Sequence, residues 1–262
     1  MSVSDQAIFS TFCLRAAKEE AAFDNFKRDP FFNLLHEAYT FEEGKEFLNV
    51  IFSRTGSDFA EKWQRFKEND RFGNPRTFDY EIAGAFSPST LLYVKIAQEI
   101  VEEFGSLEGL RIVQIGGGYG GLCKVLSDLF SFQSYTIIDL PASLELSKTY
   151  LAKLEVPNIH FSDVRDVSEE KRYDLVISHY AFSEFDGSLQ KKLLSTILCK
   201  AKNGYIACTF YPKHFKIRPF SKEQLLTRCA KLGLGFKILK EEPLMGKDNF
   251  ILLWKQEKAS KT

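Results

Sequence analysis

The sequence predicts a doubly wound α/β fold: a seven-stranded, mostly parallel sheet that closes with a C-terminal antiparallel hairpin and is preceded by a helical N-terminal region. Three observations carry that expectation. Short apolar runs alternate with helical spacing from Leu110 onward; a strand runs straight into glycines at Arg111–Leu122; and the last two strand-like runs are joined only by Lys240 to Lys247, too few residues for a parallel crossover.

Residues 1–105 read as helices that form a cap or substrate region. Phe9, Phe12, Cys13, Ala16, Phe23 and Phe26 recur at helical spacing until Pro30, where the run is expected to stop. Leu34, Leu35, Ala38 and Tyr39 mark a second segment. Thr40 with Glu43 is a capping-box signature ahead of Phe47, Leu48, Ile51 and Phe52, with Gly56 closing that helix, and Asp58 with Glu61 repeats the device before Trp63 and Phe66. Fifteen of the 25 phenylalanines lie here, so these helices have their own aromatic face, read as core or the underside of a lid. Between Asn69 and Phe86 the helical period fails; Gly73-Asn74-Pro75 is a turn, and the irregular piece around Tyr80 is placed to reach over a site. Ser87-Pro88 then caps a helix that ends at Gly105.

Residues 106–262 read as the sheet domain. Its expected strands are Ile112–Ile115, Tyr135–Ile138, Ile159–Ser162, Tyr173–Ser178, Tyr205–Phe210, Phe236–Leu239 and Asn249–Trp254. The stretch between the third and fourth is short and charged, which predicts a short or missing crossover helix.

Composition narrows the functional classes. Thirty-five basic and 35 acidic residues give zero net charge with no one-sign block, so neither nucleic acid nor an anionic membrane surface is an expected partner. Five cysteines without a Cys-x-x-Cys spacing suggest reduced thiols rather than a disulfide framework or a zinc site, and no metal is predicted. No apolar run is long enough to span a bilayer and no leader is evident, which together suggest a cytoplasmic protein. Oligomeric state stays open, a homodimer being one option.

The glycine run is the chemical centre of the chain. Gly116-x-Gly118-x-Gly120 fits a methyl-donor loop and Gly116-x-Gly118-x-x-Gly121 fits the dinucleotide fingerprint equally well. Asp139, closing the next strand, is placed to take the two ribose hydroxyls of either cofactor. The seven strands and the closing hairpin favour the methyl-donor version.

Val113-Gln-Ile-Gly-Gly-Gly-Tyr-Gly-Gly121, Ile137-Ile-Asp-Leu-Pro141 and Ser178-His-Tyr-Ala-Phe-Ser-Glu184 together resemble class I S-adenosylmethionine-dependent methyltransferases, specifically the sugar O-methyltransferase group. Gly73-Asn-Pro75 and Ser87–Val94 are also similar to that group, so the resemblance spans roughly residues 70 to 255. It implies a Rossmann-like domain that binds S-adenosylmethionine, and a small-molecule or glycan acceptor. The loop Gly116, Gly117, Gly118, Tyr119 and Gly120 would pass under the methionine part, Asp139 and Leu140 would meet the ribose end, Asp163 and Val164 the adenine, and His179 and Tyr180 the sulfonium. Gln114 stands where class I enzymes usually carry a carboxylate, and Leu92 where the group tends to carry Arg.

A sugar hydroxyl must lose its proton as it is methylated, so a base near neutral pKa is the natural helper. His179 is the first choice, with Glu184 as alternative base or as the group that orients it. Tyr80, Tyr211 and His214 are candidates for holding the acceptor, while His160 and His36 read as structural. A phenolic acceptor and an inactive donor-binding module remain as alternatives.

Overall fold

The computed structural model describes residues 3–33, 37–54, 59, 62–167, 172–210 and 217–255. The N-terminal region is helical but more broken than its periodicity suggests. Helix α1 (Val3–Lys18) is followed by α2 (Glu20–Phe23), a 3-10 turn at Phe26–Arg28 and α3 (Pro30–Phe32). Pro30 therefore starts a helix instead of stopping one. Its missing N–H costs nothing at the first helical position, and Asp29 Oδ1 accepts from the amides of Phe31 at 2.9 Å and Phe32 at 3.2 Å. Leu34, Leu35, Gly56, Asp58 and Glu61 lie outside the described residues.

The Thr40–Glu43 capping box opens α4 (Phe41–Ser53) as the sequence predicts, with both reciprocal bonds made. Helix α5 (Trp63–Phe66) and a further 3-10 turn follow. The stretch with no helical period is a hairpin, β1 (Phe78–Tyr80) paired antiparallel with β2 (Gly84–Phe86). Strands of three residues leave almost no period to detect. Helix α6 (Pro88–Phe104) begins on the Ser87 cap, where Oγ accepts from the Thr90 amide at 3.2 Å, and ends at Gly105 with φ +76°.

The second half is β3 (Arg111–Ile115), α7 (Gly121–Ser127), β4 (Ser134–Asp139), α8 (Pro141–Lys153), β5 (Ile159–Asp163), β6 (Leu175–His179), α9 (Ala181–Glu184), α10 (Gly187–Thr196), β7 (Asn203–Cys208), α11 (Lys222–Lys231), β8 (Lys237–Lys240) and β9 (Phe250–Trp254). The seven strands lie in the order β5-β4-β3-β6-β7-β9-β8. All neighbours are parallel except β7–β9 and β8–β9, so the expected closing hairpin is present. Between β5 and β6 no helix occurs among the described residues, in keeping with the short charged connection.

Alternate residues of each strand feed opposite faces. Ile112, Tyr135, Ile137, Leu175, Ile177 and Tyr205 join one core with α6, α7, α8 and the N-terminal helices. Val113, Ile115, Val176, Ile206 and Leu252 join a second core under α10 and α11. Trp254 closes that side: its indole lies where a Cβ on Gly204 would come within 2.1 Å of it, and Nε1 donates to the Ala201 carbonyl at 3.3 Å. The first core includes residues from both sides of residue 105, from Phe9 to Leu253.

Candidate active site

The carboxyl ends of β3, β4, β5 and β6 meet where the strand order reverses, between β3 and β6, the place where open α/β sheets bind ligands. Strand β3 passes straight into the glycine loop, and the Gly116 amide donates to the Ile138 carbonyl at 2.8 Å, tying the loop's start to β4. Gly116, Gly118 and Gly120 take φ of +77°, +55° and +99°. A Cβ at Gly116 would also stand 2.0 Å from Ala181 Cβ, so the loop backbone lies directly on the β6–α9 turn.

Asp139 faces this loop from the end of β4. Its carboxylate accepts from the Gly118 amide at 3.0 Å and the Leu140 amide at 2.7 Å. The side chain is 9% exposed; burial raises its pKa, against the lowering effect of these donors. Each carboxylate oxygen offers two acceptor sites, so capacity remains for a diol. Asp163 is its register partner on β5, and neighbouring strands are about 4.8 Å apart. Arg165 holds the Asp163 carboxyl below its usual range, through its side chain and its amide at 2.9 Å. Leu140 is half-buried beside them.

Four expected contacts are placed otherwise. Gln114 is 3% exposed and turned into the sheet, where Oε1 accepts from the Tyr135 hydroxyl at 2.7 Å while Nε2 lies 3.4 Å from the Gly116 carbonyl. An amide can do both; a carboxylate could not donate. The Tyr119 ring is buried among Phe26, Phe32, Tyr93 and Tyr150, with the Lys27 ammonium 4.5 Å from its centroid, so only its backbone remains for a ligand. The Val164 amide donates to the Asp139 carbonyl at 3.0 Å and its side chain is in the second core. Tyr80 is 3% exposed and stacked on Phe41 at 5.1 Å against Gly44, packing that removes it from any acceptor. Tyr211 and His214 lie outside the described residues.

At the end of β6 the half-buried rings of His179 and Tyr180 overlap, centroids 3.9 Å apart. Burial, reinforced by the nearby Lys95 ammonium, pushes the His179 imidazole down to about 3. Lys95 is itself buried in an ion pair with Glu99 at 2.9 Å, and Glu99 also accepts from the Tyr205 hydroxyl at 2.5 Å. Burial therefore favours the neutral imidazole and makes it a weaker base than a free histidine. Glu184 closes the four-residue α9; it is exposed, yet the protein packed around it raises its pKa.

Sequence reasoning missed the partners of Tyr180. Its hydroxyl donates to Glu241 Oε1, and Glu241 Oε2 accepts from the Met245 amide at 3.1 Å and Asn249 Nδ2 at 2.8 Å. Glu241 is 3% exposed and lies in the β8–β9 connection, far along the chain, so no local spacing signals it.

Helix α1 packs along α8. Thr149 Oγ1 donates to the Ala17 carbonyl at 3.2 Å near the end of α8, while burial, with the Asp139 carboxylate just before α8 as the smaller cause, pushes the Cys13 thiol up to about 12. The two helices thus run antiparallel, and the ten residues of α1 before Cys13 extend about 15 Å further past the strand ends. A separate cavity of about 450 Å³ opens beside the Gly73-Asn74-Pro75 turn and is lined by Asp24, Asp70 and Arg71, with no residue of the glycine loop.

The sequence matches no family model. No curated protein matches it. Its fold is shared with solved methyltransferases. The N-terminal domain of EvdMO1, solved with S-adenosylhomocysteine bound, aligns over 76% of this chain and 98% of its own at 14% identity and TM-score 0.50. Magnesium protoporphyrin IX methyltransferase from Synechocystis PCC 6803, with bound S-adenosylmethionine, aligns over 84% and 94% at 13% identity and TM-score 0.48. CalS10, an amino pentose methyltransferase from Micromonospora echinaspora, aligns over 62% and 89% at 13% identity and TM-score 0.47. Identities this low speak to the fold alone, and the chain has the Rossmann-like methyltransferase fold.

Proposed function

We propose that this protein transfers a methyl group from S-adenosylmethionine to a hydroxyl of a sugar or sugar-bearing small molecule. The observation that carries the reading is the Asp139 carboxylate set against the left-handed glycines of the β3 loop, at the point where the strand order reverses. The residues present fit the donor: a backbone stripped of Cβ atoms for the methionine part, a buried carboxylate with spare acceptor sites for a vicinal diol, and Asp163 one strand over for an exocyclic amine. When bound, the sulfonium supplies an activated methyl group.

The chain's own contribution is alignment and exclusion of water. An in-line displacement needs its two reactants held in register, and the collapse of positive charge is favoured in a dry pocket. Asp139 and the loop would fix the donor, the neutral His179 ring would wall its sulfonium end without adding a like charge, and α1 would close over the ribose. The acceptor class rests on the similarity of the Ser178–Glu184 run to sugar O-methyltransferases.

The test is a thermal-shift titration with S-adenosylhomocysteine, followed by incubation with S-adenosylmethionine and a panel of free sugars, nucleotide sugars and glycosides, reading a one-CH2 mass gain. At a hundredfold excess over Kd the ligand should stabilise the fold by about 2.7 kcal/mol. Stabilisation by NAD in its place, with none by S-adenosylhomocysteine, would overturn the reading.

A further inference from the structure

We propose that Tyr180 and Glu241 form the proton-accepting pair of this site, Tyr180 touching the acceptor hydroxyl and Glu241 acting through Tyr180. The inference rests on the methyl-transfer reading above. That reading requires a group at the end of β6 that can relieve the acceptor of its proton, and burial weakens His179 as a base by pushing its imidazole down to about 3.

The geometry around Tyr180 is specialised in three ways. Its backbone sits at φ +65°, ψ −41°, a conformation that a residue with a large side chain adopts only when its surroundings impose it. The surroundings are visible: the Tyr180 amide is fixed to the Ala207 carbonyl at 2.9 Å, and the ring overlaps His179. The tip is fixed as well, with the hydroxyl donating to Glu241 Oε1 and Asn249 Nδ2 3.4 Å from the same oxygen. Strain of this kind aims the phenol instead of letting it follow the helix that starts at the next residue.

Glu241 is equally constrained. A carboxylate 3% exposed would be costly alone, but here every oxygen has a donor: Tyr180 on Oε1, and the Met245 amide with Asn249 Nδ2 on Oε2. Asn249 is in turn pinned, since its amide donates to the Gly246 carbonyl at 3.0 Å and its side chain lies where a Cβ on Gly246 would come within 2.7 Å of it. The β8–β9 connection is thus folded around one carboxylate whose only side-chain hydroxyl partner among the described residues is a strained tyrosine at the mouth of the crevice. A plain packing role would not need an ionisable group, because a buried pair of this kind is seldom better than apolar residues of the same size.

The step balances. The acceptor oxygen forms its bond to the methyl carbon as the carbon–sulfur bond breaks; the acceptor's proton passes to the Tyr180 oxygen and the phenol's own proton passes to Glu241 Oε1. The positive charge lost at sulfur is matched by the negative charge lost at the carboxylate, so the step leaves the net charge of the crevice unchanged, and Glu241 returns its proton to water after product leaves.

The test compares wild type, Tyr180→Phe, Glu241→Gln and the double variant, with S-adenosylmethionine and the acceptor found in the sugar panel. Each single change should lower kcat about 100-fold, the scale of general acid–base assistance, with KM for the acceptor and Kd for S-adenosylhomocysteine changed less than about threefold. The double variant should be no slower than the slower single, since two members of one relay are not additive. A Glu241→Gln enzyme within threefold of wild-type kcat, or a double variant slowed by the product of the two effects, overturns the pair. Tyr180→Phe removes a single oxygen, so it keeps the comparison open if Glu241→Gln folds poorly. Wild-type protein that binds no S-adenosylhomocysteine and makes no product sinks the functional reading and the pair with it; a wild type that turns over while Glu241→Gln keeps pace sinks the pair alone.

Discussion

Asp139 has two tasks for one carboxylate. It fastens the glycine loop through Gly118 and holds the Leu140 amide just ahead of α8, and in the proposed function it also takes a ribose. Asp139→Ala should therefore abolish the S-adenosylhomocysteine thermal shift and also cost about 1–3 kcal/mol of stability, because two buried amides lose their acceptor; urea titration measures the second effect separately from the first. His179 makes a different prediction. Its folded pKa, near 3, is below its ordinary value of 6.5, so as pH falls below 6.5 the unfolded chain takes up the proton first and stability drops, by at most about 1.4 kcal/mol per pH unit. His179→Gln should remove that slope between pH 6.5 and 5. Burial lifts Glu37 to about 7 and gives a slope of opposite sign, so the quantity to measure is the difference in urea midpoint between wild type and variant across that range. A difference that stays flat would mean the imidazole is not buried in its neutral form. What the sequence could not disclose at this scale was direction: Gln114 lies in β3 and Tyr119 in the loop after it, but whether a side chain faces ligand or core depends on neighbours such as Tyr135 and Phe26, which come from elsewhere in the chain.

Among the elements, those with a local cause were legible. The Thr40–Glu43 box, the Ser87-Pro88 start and the Gly105 stop are written in adjacent residues, and all are found. Pro30 was misjudged because a proline that ends one helix and a proline that begins the next look alike until Asp29 is seen to cap the latter. The β1–β2 hairpin is too short to show a period. Helix α1 could be anticipated, but its seat could not, since that depends on its antiparallel pairing with α8. If α1 gates the donor site, S-adenosylhomocysteine should slow amide hydrogen exchange in residues 7–18 markedly more than in α10 or α11, which pack on the far face of the sheet. Equal protection of all three helices would mean that the ligand stiffens the whole fold and α1 has no gating role.

For the molecule as a whole, the helical first part and the sheet are a single packing unit. The core that begins at Phe9 includes Tyr119 and Tyr150, and the Tyr119 ring is met by Phe26, Phe32 and the Lys27 ammonium from the helical part. Unfolding by urea should accordingly follow one transition, superimposable by far- and near-ultraviolet circular dichroism, and a fragment of residues 106–262 should fail to give a cooperative transition because one face of its sheet would be bare. Two separated transitions would restore the division at residue 105 that the composition suggests. The alternation of strands and helices foretold the sheet and its closing hairpin, since each depends on spacing within a short window; the merging of the two halves depends on contacts over a hundred residues apart.

The seating of Trp254 on Gly204 has an optical consequence. The only other indole, that of Trp63, is half-buried beside Phe86 and Phe52 in the first part of the chain. Trp254, 4% exposed, should emit at the blue end and be shielded from iodide, while Trp63 should emit further to the red and be quenched first. The fluorescence of the unmodified protein thus holds two colours, one for each half.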